Sequence, residues 1–469
     1  MTQDELNKIT TVFNLQKSEY QKNPYLDKNY RVNKLLTLLK VIYESQIEIE
    51  EAIYKDFKKP GSEVKLTEIF PVLEEIKFAL KNITKWLKYQ KVKTPIFLLG
   101  TSCKILFEPK GVCLIISPWN FPFQLTMSPL VSAIAAGNRV IIKPSEYSAN
   151  TSALIKKLVN KIFNKSEVEV FEGDYNTADV LLNLPFDHIF FTGSCAVGKI
   201  VMEKAAKNLS SVTLELGGKS PVVIDEHCDI NKAAKRITWG KFINCGQICI
   251  APDYVIIHES IKNEFIKKLE ENILSFYGNS IKESPDYTGI INAKHQLRIV
   301  QLIEQAKKAG ANIVFGGEND INDCYIEPTI ITDVNLNMEI MKEEIFGPVL
   351  PIITYIKLDE IYEIINKNPI PLALYIFSKR KKFINEMLNK ISAGNCAIND
   401  VILQFINPFL PFGGVNNSGI GKSHGFYGFK EFSNEKGILK QQKLSAMELL
   451  YPPYTANVKK IISLIVKYL

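Results

Sequence analysis

The sequence predicts an α/β fold made of two successive α/β domains behind a helical N-terminal segment. In residues 1 to about 90, apolar side chains recur at helical spacing, as at Leu35, Leu39 and Ile42. From Lys104 onward, short apolar runs alternate with helical patterns. Such alternation is typical of a mostly parallel sheet with helices on both faces, and a chain of 469 residues has room for two or three domains.

The first α/β region ends at about residue 213. Its expected strands are short apolar runs bounded by turn residues: Val112–Ile116, Val140–Ile142, Val168–Phe171 and His188–Phe191. Its expected helices follow these strands in the chain: Ser128–Ala136, Thr151–Phe163, Thr177–Leu184 and Val197–Ala206. The first of these helices is expected to end at Gly137-Asn138.

The second α/β region runs from about Leu216 to Asp400. Its expected strands are Val222–Ile224, Tyr254–Ile257 and Ile313–Phe315. Its expected helices are Lys262–Phe276 and Ile299–Ala309, the latter stopped by Gly310. The remaining residues, 401–469, are rich in Gly and Pro, then basic and finally apolar.

Composition favours a globular protein of the cytoplasm. Hydrophobic residues make up 46% and charged residues 23%, which is ordinary for such proteins. The net charge of +7 comes mostly from lysine, and because the few arginines are scattered, a solvated surface is favoured over nucleic-acid binding. The N-terminus lacks the apolar core of a secretory signal, so the 8 cysteines are expected to be free thiols. No run approaches the roughly 18 apolar residues of a membrane span.

Two stretches are candidate parts of a nucleotide site. Expected strand His188–Phe191 leads into Thr192–Gly198, where Gly193, Ser194 and Gly198 surround a helix N-terminus whose free N–H groups suit a pyrophosphate. The spacing is not that of the usual dinucleotide fingerprint, and a plain tight turn explains these residues equally well.

The second stretch is Lys143-Pro144-Ser145-Glu146, just past the end of an expected strand. Open α/β sheets bind ligands at that edge. There Lys143 can donate to ribose hydroxyls and Glu146 can accept from them. Locally, a capped turn at the start of a helix is the competing interpretation.

Asn120 and Glu215 are candidate reacting groups. Asn120 stands between two prolines and two aromatic residues in Pro118–Pro122, a rigid setting that suits an oxyanion donor. Glu215 stands between leucines ahead of Gly217-Gly218, and apolar surroundings raise the pKa of a carboxyl toward that of a general base. Taken alone, an ordinary aromatic-rich loop and an exposed strand residue are the favoured interpretations.

The segment Phe242–Pro252 holds Cys245 and Cys249, four residues apart. The pair lacks the C-x-x-C spacing of redox motifs, and none of the few histidines stands at metal-ligand spacing to it, so no metal site is predicted. From these residues alone, a nucleophilic thiol competes with a buried structural cysteine.

Six motifs stand in the order in which they occur in the aldehyde dehydrogenase superfamily. They are Pro118–Pro122, Lys143–Glu146, Phe191–Ser194, Leu214–Lys219, Gly246–Cys249 and Glu344–Pro348. The sequence is similar to this superfamily over nearly its whole length. Segments such as Gly240–Asn244, Ala251–Tyr254 and Tyr451–Pro453 resemble its class 3 branch, which acts on fatty and aromatic aldehydes.

The resemblance implies an aldehyde dehydrogenase fold. Its parts would be a Rossmann-like NAD(P)-binding domain at 1–213, an α/β catalytic domain at 214–396, a small oligomerisation segment at 397–433 joined by 92–107, and a C-terminal tail at 434–469. It also implies a homodimer. Wall residues of the substrate pocket are expected to include the apolar segment Leu403–Phe409.

The resemblance also assigns roles to residues. Cys249 would be the nucleophile, Asn120 with the Cys249 N–H would hold the oxyanion, and Glu215 would activate water to hydrolyse a thioester. The residues that would bind the cofactor are Lys143, Glu146, Gly193, Ser194, Gly198, Trp119, Glu344 and Phe346. Relatives that transfer the acyl group to coenzyme A generally lack a carboxylate at the position of Glu215, so an acylating enzyme is the alternative, and a non-catalytic protein of the same fold is a further one.

Three finer expectations complete the sequence prediction. Glu146 would repel a 2′-phosphate, so NAD is expected to be preferred and NADP tolerated. Cys245 is a candidate for a reversible disulfide with Cys249 under oxidation, although catalysis does not require the two sulfurs to meet. The tail Asn457–Leu469, apolar with interleaved lysines, either packs on protein or makes peripheral contact with a membrane.

Overall fold

A computed structural model describes residues 3–441 and 446–468, which contain two large open sheets covered by helices. Its helices are α1 (Gln3–Lys22), α2 (Lys28–Glu44), α3 (Gln46–Phe57), α4 (Gly61–Val64), α5 (Phe70–Trp86), α6 (Gln124–Ala136), α7 (Ala149–Ile162), α8 (Tyr175–Leu182), α9 (Cys195–Asn208), α10 (Ile230–Phe242), α11 (Lys262–Tyr277), α12 (Ala293–Lys308), α13 (Leu358–Ile365), α14 (Lys381–Lys390), α15 (Gly425–Glu431) and α16 (Ala456–Tyr468).

The strands are mostly short and, in the two large sheets, mostly buried. They are β1 (Gln90–Val92), β2 (Thr101–Pro109), β3 (Val112–Ile116), β4 (Arg139–Lys143), β5 (Val168–Val170), β6 (His188–Thr192), β7 (Ser211–Glu215), β8 (Pro221–Ile224), β9 (Tyr254–His258), β10 (Asn312–Phe315), β11 (Asn319–Asp320), β12 (Tyr325–Ile326), β13 (Thr329–Thr332), β14 (Val349–Tyr355), β15 (Ala373–Phe377), β16 (Asn395–Ile398), β17 (Gly419–Ile420) and β18 (Ser433–Gln441).

The first large sheet has the strand order β17-β7-β6-β3-β4-β5. Strands β3 to β7 run parallel, and β17 joins the edge antiparallel to β7. All five residues of β3, β4 and β6 are buried, because helices cover both faces of the sheet. The predicted strands and the helix end at Gly137, a left-handed C-cap with φ 94°, are confirmed.

The second large sheet has the order β10-β13-β14-β9-β8-β15-β16 and is parallel except for β10. Helices α10 and α11 pack against each other beside it, and α12 contributes Ile299, Leu302 and Ile303 to its core. The strands and helices predicted in this half are confirmed to within a few residues, except that α12 begins earlier, at Ala293, where Asn292 caps it.

A third, small sheet stands apart from the other two. Strand β2 pairs antiparallel with β1 on one side and, along its whole length from Thr101 to Pro109, with β18 on the other. The strand that pairs with β2 is Ser433–Gln441, at the start of the expected tail. That strand alternates polar and apolar residues only weakly, which hid it from sequence reading. The oligomerisation segment expected from 92–107 with 397–433 stays a prediction.

The C-terminal helix α16 has no buried residue. Among the described residues, no helix is long and apolar enough to cross a membrane.

Candidate active site

The candidate site lies between one edge of each large sheet. The carboxyl ends of β3, β4, β6 and β7 lead to Asn120, Glu146, Ser194 and Glu215, at the edge where parallel sheets bind ligands. The second sheet contributes residues at the amino ends of its strands, since Cys249 precedes β9 and Glu344 precedes β14. All predicted site residues except Lys143, Glu146 and Gly198 line one cavity together with Cys249.

Cys249 follows a tight turn with unusual backbone angles. Asn244, Cys245 and Gly246 all have positive φ, 53°, 53° and 72°, a conformation that residues with side chains rarely adopt. A side chain at Gly246 would meet the Gly347 carbonyl oxygen at 2.3 Å, so only glycine fits there. Gln247 locks the turn by donating to the Asn244 and Gly289 carbonyls, both at 3.0 Å.

Asn120 is tied directly to this turn. Its Nδ2 donates to the Gln247 carbonyl at 2.9 Å, and its own carbonyl accepts from Nδ2 of Asn244 at 3.0 Å. The amide is buried, and both Asn120 and Cys249 line the same cavity. An amide fixed in this way is preorganised to donate its second N–H to a ligand beside Cys249.

Glu215, at the end of β7, lines the same cavity as Cys249. Its Oε1 accepts from Ser423 Oγ at 2.8 Å, while its buried Oε2 has no partner among the described residues. Burial raises the pKa of Glu215 to about 8, against the opposing effects of Ser423 and Lys422. Such a carboxyl can take up and release a proton near neutrality.

Burial raises the pKa of both cysteine thiols, but the two have different neighbours. Burial raises the pKa of the Cys249 thiol, and the carboxylates of Glu344 and Glu215 raise it further. Backbone N–H groups of Cys249 and Ile250 act in the opposite direction. Cys245 faces elsewhere: its buried Sγ donates to the Tyr287 hydroxyl at 3.4 Å, and both cysteines are free thiols. The disulfide between them stays a prediction.

A groove of about 240 Å³ runs from Cys249 toward the first sheet. Trp119, Gly193 and Ser194 line it, and Ser194 caps α9 by accepting from the Val197 N–H. A side chain at Gly198 would lie 2.7 Å from Leu216 Cδ2, so this glycine brings α9 close to the sheet. Beyond the groove, Lys143 Nζ lies 2.6 Å from Glu146 Oε2.

Glu344 and Phe346 close the groove from the second domain. Burial raises the pKa of Glu344 to about 8, and its buried Oε1 has no partner among the described residues. A side chain at Gly217 would collide with Glu344 Oε2 at 2.1 Å, so this glycine admits the carboxyl. A dinucleotide fits these residues, because a ribose hydroxyl would satisfy the orphaned oxygen and the α9 N-terminus would receive phosphate.

Sequence reasoning missed four members of the site. His295 contacts the Trp119 ring, with centroids 4.9 Å apart, and Arg298 donates to the Glu344 carbonyl at 3.3 Å. Gly217 and Ser423 are the others. Only the Gly217-Gly218 pair carried a local signal, since the remaining three depend on contacts between residues far apart in sequence.

A buried ion pair holds the backbone around Glu344. Lys219 Nζ lies 2.7 Å from Asp253 Oδ2 and donates to the carbonyls of Ile340 at 2.6 Å and Glu343 at 3.0 Å. Asp253 Oδ1 in turn accepts from the Ile345 N–H at 3.0 Å. The pair thus fixes the backbone on both sides of Glu344.

A second cavity, of about 160 Å³, also reaches Cys249 and is almost wholly apolar. Its lining includes Phe121, Trp239, Ile243, Ile248, Ile250, Ile402, Leu403, Phe405 and Ile406. Three residues of the segment Leu403–Phe409, expected in the wall of the substrate pocket, therefore line this cavity. Phe409 instead contacts the Phe78 ring, with centroids 5.0 Å apart.

The described residues contain no group of three or more His, Cys, Asp or Glu side chains that would hold a metal ion.

A thiol, an amide and a carboxyl converge where the groove that fits a dinucleotide meets the apolar cavity. This arrangement is suited to oxidising an apolar carbonyl compound.

Comparison with known proteins agrees with this chemistry. The sequence model of the aldehyde dehydrogenase family matches residues 7–438, and the chain belongs to that family. It is an oxidoreductase that acts on aldehydes with a nicotinamide cofactor.

The relatives place the chain in the class 3 branch. It is 45% identical over 457 residues to the 4,4'-diaponeurosporen-aldehyde dehydrogenase of Staphylococcus aureus (97% of this chain, 99% of that one). It is 45% identical over 426 residues to aldehyde dehydrogenase family 3 member A2 of Pongo abelii (90% and 87%). It is 40% identical over 457 residues to the dimeric NADP-preferring aldehyde dehydrogenase of Mus musculus (97% and 100%).

The fold also matches that of a solved aldehyde dehydrogenase structure. The substrate-bound state of Staphylococcus aureus AldH superposes with a TM-score of 0.94 at 44% identity, covering 97% of this chain and 99% of that one. The predicted aldehyde dehydrogenase fold is therefore confirmed.

Proposed function

We propose that this enzyme oxidises an elongated apolar aldehyde, of medium to long aliphatic chain or with an aromatic ring, to the carboxylic acid. The apolar cavity that ends at Cys249 carries this proposal, because its walls offer a carbon chain burial and few polar partners.

In the proposed mechanism Cys249 is the nucleophile. Its thiol proton passes to a neighbouring carboxylate, and the sulfur bonds to the aldehyde carbon, forming a thiohemiacetal. The Asn120 Nδ2 and the Cys249 N–H donate to the resulting oxyanion. NAD(P)⁺, when bound, would supply the hydride acceptor, and Cys249 would then hold the acyl group as a thioester.

Glu215 completes the reaction by activating water. Its carboxylate takes a proton from the water as the water oxygen attacks the thioester carbon, and the C–S bond breaks to release the acid and the thiol. Ser423 orients this carboxylate through its 2.8 Å hydrogen bond to Oε1. The presence of Glu215 favours hydrolysis over transfer to coenzyme A, which is the competing function.

The cofactor residues divide by the part of the dinucleotide they would bind. Lys143 and Glu146 would bind the adenosine ribose, Gly193, Ser194 and Gly198 the pyrophosphate, and Trp119, Glu344 and Phe346 the nicotinamide riboside. The carboxylate of Glu146 supports NAD as the preferred cofactor with NADP tolerated. A higher kcat/KM for NADP than for NAD would contradict this preference.

Absorbance at 340 nm tests the proposed reaction. NADH should form with aldehydes of increasing chain length, with kcat/KM rising through the medium-chain range, and without coenzyme A. Strict dependence on coenzyme A would favour the acylating enzyme, and no signal with any apolar aldehyde would overturn the proposal.

The domain division and the homodimer are part of the same proposal. We propose a cofactor domain at 1–213, a catalytic domain at 214–396 and a bridging region formed by 92–107 with 397–433, to which the sheet β1-β2-β18 adds residues 433–441. Ile96 and Leu99 beside this sheet are each 69% exposed, as expected of a surface covered by a second subunit. The rest of the tail 434–469 follows strand β18 in the chain.

Two alternatives are proposed for helix α16: it packs on protein, or it binds to the surface of a bilayer. It carries Lys459, Lys460 and Lys467 among apolar residues, and anionic lipid would attract these lysines. Flotation of the intact protein and of a 1–456 truncation with anionic liposomes distinguishes the two. Equal flotation would eliminate membrane contact through this helix.

A further inference from the structure

The helix that precedes the candidate oxyanion loop contains a π-helical turn. Helix α4 runs without a break through the π-helical segment Lys65–Ile69 into α5. Such segments widen a helix by one residue and are frequent at functional sites. Two carboxylates, Glu63 and Glu68, lie at this widening.

Glu68 binds the segment that carries Asn120. Its Oε2 accepts from the N–H groups of Phe123 at 3.2 Å and Gln124 at 3.0 Å, at the N-terminus of α6. Its Oε1 lies 3.1 Å from Nζ of Lys59, and both side chains are fully buried. Lys59 Nζ also lies 4.0 Å from the ring centre of Phe121, the residue next to Asn120.

Glu63 binds the turn that carries Cys249. Its Oε1 accepts from the Asn244 N–H at 2.8 Å, and its Oε2 accepts from Thr288 Oγ1 at 3.3 Å. Asn244 is the first of the three left-handed residues, so the carboxylate contacts the backbone where the unfavourable conformation begins. A turn of this kind persists only when its surroundings hold it.

We propose that Glu63 and Glu68 are positioning residues that use one widened helix to hold the Asn120 segment and the Cys249 turn in register. Glu68 holds the segment of the oxyanion donor and Glu63 holds the turn of the nucleophile, so the helix reinforces the direct hydrogen bonds between Asn120 and this turn. The inference rests on the proposed roles of Cys249 and Asn120.

The reactivity of Cys249 tests Glu63 without requiring turnover. Burial raises the pKa of Glu63 to about 7, so the test is made at pH 8. There Glu63→Gln keeps the shape but loses the charge that strengthens the bond to the Asn244 N–H. We expect iodoacetamide alkylation of Cys249, followed by peptide mass spectrometry, and the NADH burst to slow by about 10- to 100-fold, as misplaced reacting groups do. The KM for aldehyde and the Kd for NADH should change little.

Glu74→Gln is the matched control, because Glu74 lies on the same helix, is exposed and pairs only with Lys77 among the described residues. It should behave as wild type. Equal alkylation rates in Glu63→Gln, Glu74→Gln and wild type would overturn the proposal. If Glu63→Gln does not fold, Glu63→Asp replaces it: the shorter carboxylate should give an intermediate rate, and an unchanged rate would overturn the proposal.

A double variant separates positioning of the turn from a general structural effect. Glycine adopts positive φ without strain, so Cys245→Gly should lower the cost of the left-handed turn. Glu63→Gln should then slow alkylation by a smaller factor in the Cys245→Gly background than alone. Equal factors in both backgrounds would contradict a role through the turn.

Cys249→Ala keeps the inference distinct from the proposed function. If Cys249→Ala retains turnover, the proposed role of Cys249 as the nucleophile fails, and the inference fails with it. If Cys249→Ala is inactive while Glu63→Gln matches wild type, only the positioning role fails.

Discussion

At the scale of single residues, the surroundings of Cys249 suppress charge on the thiol. Burial and the neighbouring carboxyls raise the pKa of this thiol. Burial also raises the pKa values of Glu215 and Glu344, each to about 8. In the proposed mechanism the thiolate is the nucleophile, and it would form by transfer of the thiol proton to an adjacent carboxylate. Both carboxyls keep one oxygen without a partner in the described structure, and can receive it.

Replacing each cysteine in turn separates the nucleophile from its neighbour. Cys249→Ala should lower kcat by at least about 10³-fold, because the covalent step is lost. Cys245→Ser should retain most of the activity, since Cys245 faces Tyr287. NADH formation at 340 nm measures both, and substantial turnover by Cys249→Ala would contradict the assignment. Peroxide inactivation that dithiothreitol reverses equally well in Cys245→Ser and wild type would remove the redox role of Cys245.

Glu215→Gln tests the base. The variant should still form the thioester and release a burst of NADH, but its steady rate should fall by about 10²- to 10⁴-fold, because water is no longer activated. In wild type the steady rate should rise with pH as Glu215 loses its proton near pH 8. Stopped-flow absorbance separates the burst from the steady state, and a steady rate equal to that of wild type would count against this role.

The same residue makes stability depend on pH. The pKa of Glu215 is raised from 4.5 to about 8, so between these values the folded protein keeps a proton that the unfolded chain has lost. Its contribution to stability therefore falls as pH rises through this window. Relative to wild type, Glu215→Gln should gain about 1–3 kcal/mol of unfolding free energy between pH 5 and pH 9. Denaturant titrations measure the difference, and a constant difference would contradict the raised pKa.

At the scale of elements, the Lys219–Asp253 pair holds the loop that carries Glu344. Asp253→Asn should raise the KM for NAD by about 10-fold or more with less effect on the KM for aldehyde, because the Ile345 N–H and Lys219 lose their charged partner. The buried lysine left behind should cost about 3–5 kcal/mol of stability. Initial rates and denaturant titrations measure these effects. Glu339→Gln, which breaks the exposed pair with Lys342 nearby, is the control and should leave both values unchanged.

Elements that depend on local patterns were predictable from sequence. Strand β3 was predicted at its observed bounds, and β4, β6 and β9 to within one residue at either end, because continuous apolar runs identify strands that are buried on both faces. The left-handed turn at Asn244 and Cys245 could not be predicted, since neither residue requires positive φ. Long-range contacts hold that turn, and these have no signature in a single stretch of sequence.

The candidate site divides in the same way. Asn120, Glu215, Cys249 and Glu344 were located through motifs, which local sequence preserves. Ser423 and Arg298 reach the site from distant parts of the chain, and their surrounding sequence gives no sign of it. The pairing of β2 with β18 was missed for the same reason, since their partners lie more than 300 residues apart in the sequence.

At the scale of the whole molecule, we expect the small sheet to join two subunits. Light scattering should give twice the chain mass of 53.1 kDa. Replacing exposed Ile96 and Leu99 together with aspartate should shift the mass toward the monomer, because charges would be buried in the interface. Ile47→Asp, at a 72% exposed position on α3, should leave the dimer intact. A monomeric wild type would contradict the expectation.

The pairing of β17 with β7 has a consequence for synthesis on the ribosome. Ser423, which orients Glu215, is 208 residues later in the chain. At about 5–20 residues per second, translation takes roughly 10–40 s to cover that interval. During this time the nascent first sheet has an open edge at β7 and an unsupported carboxylate. The candidate site is therefore complete only after Ser423 has emerged, and a chain terminated before this residue lacks the hydrogen bond to Glu215.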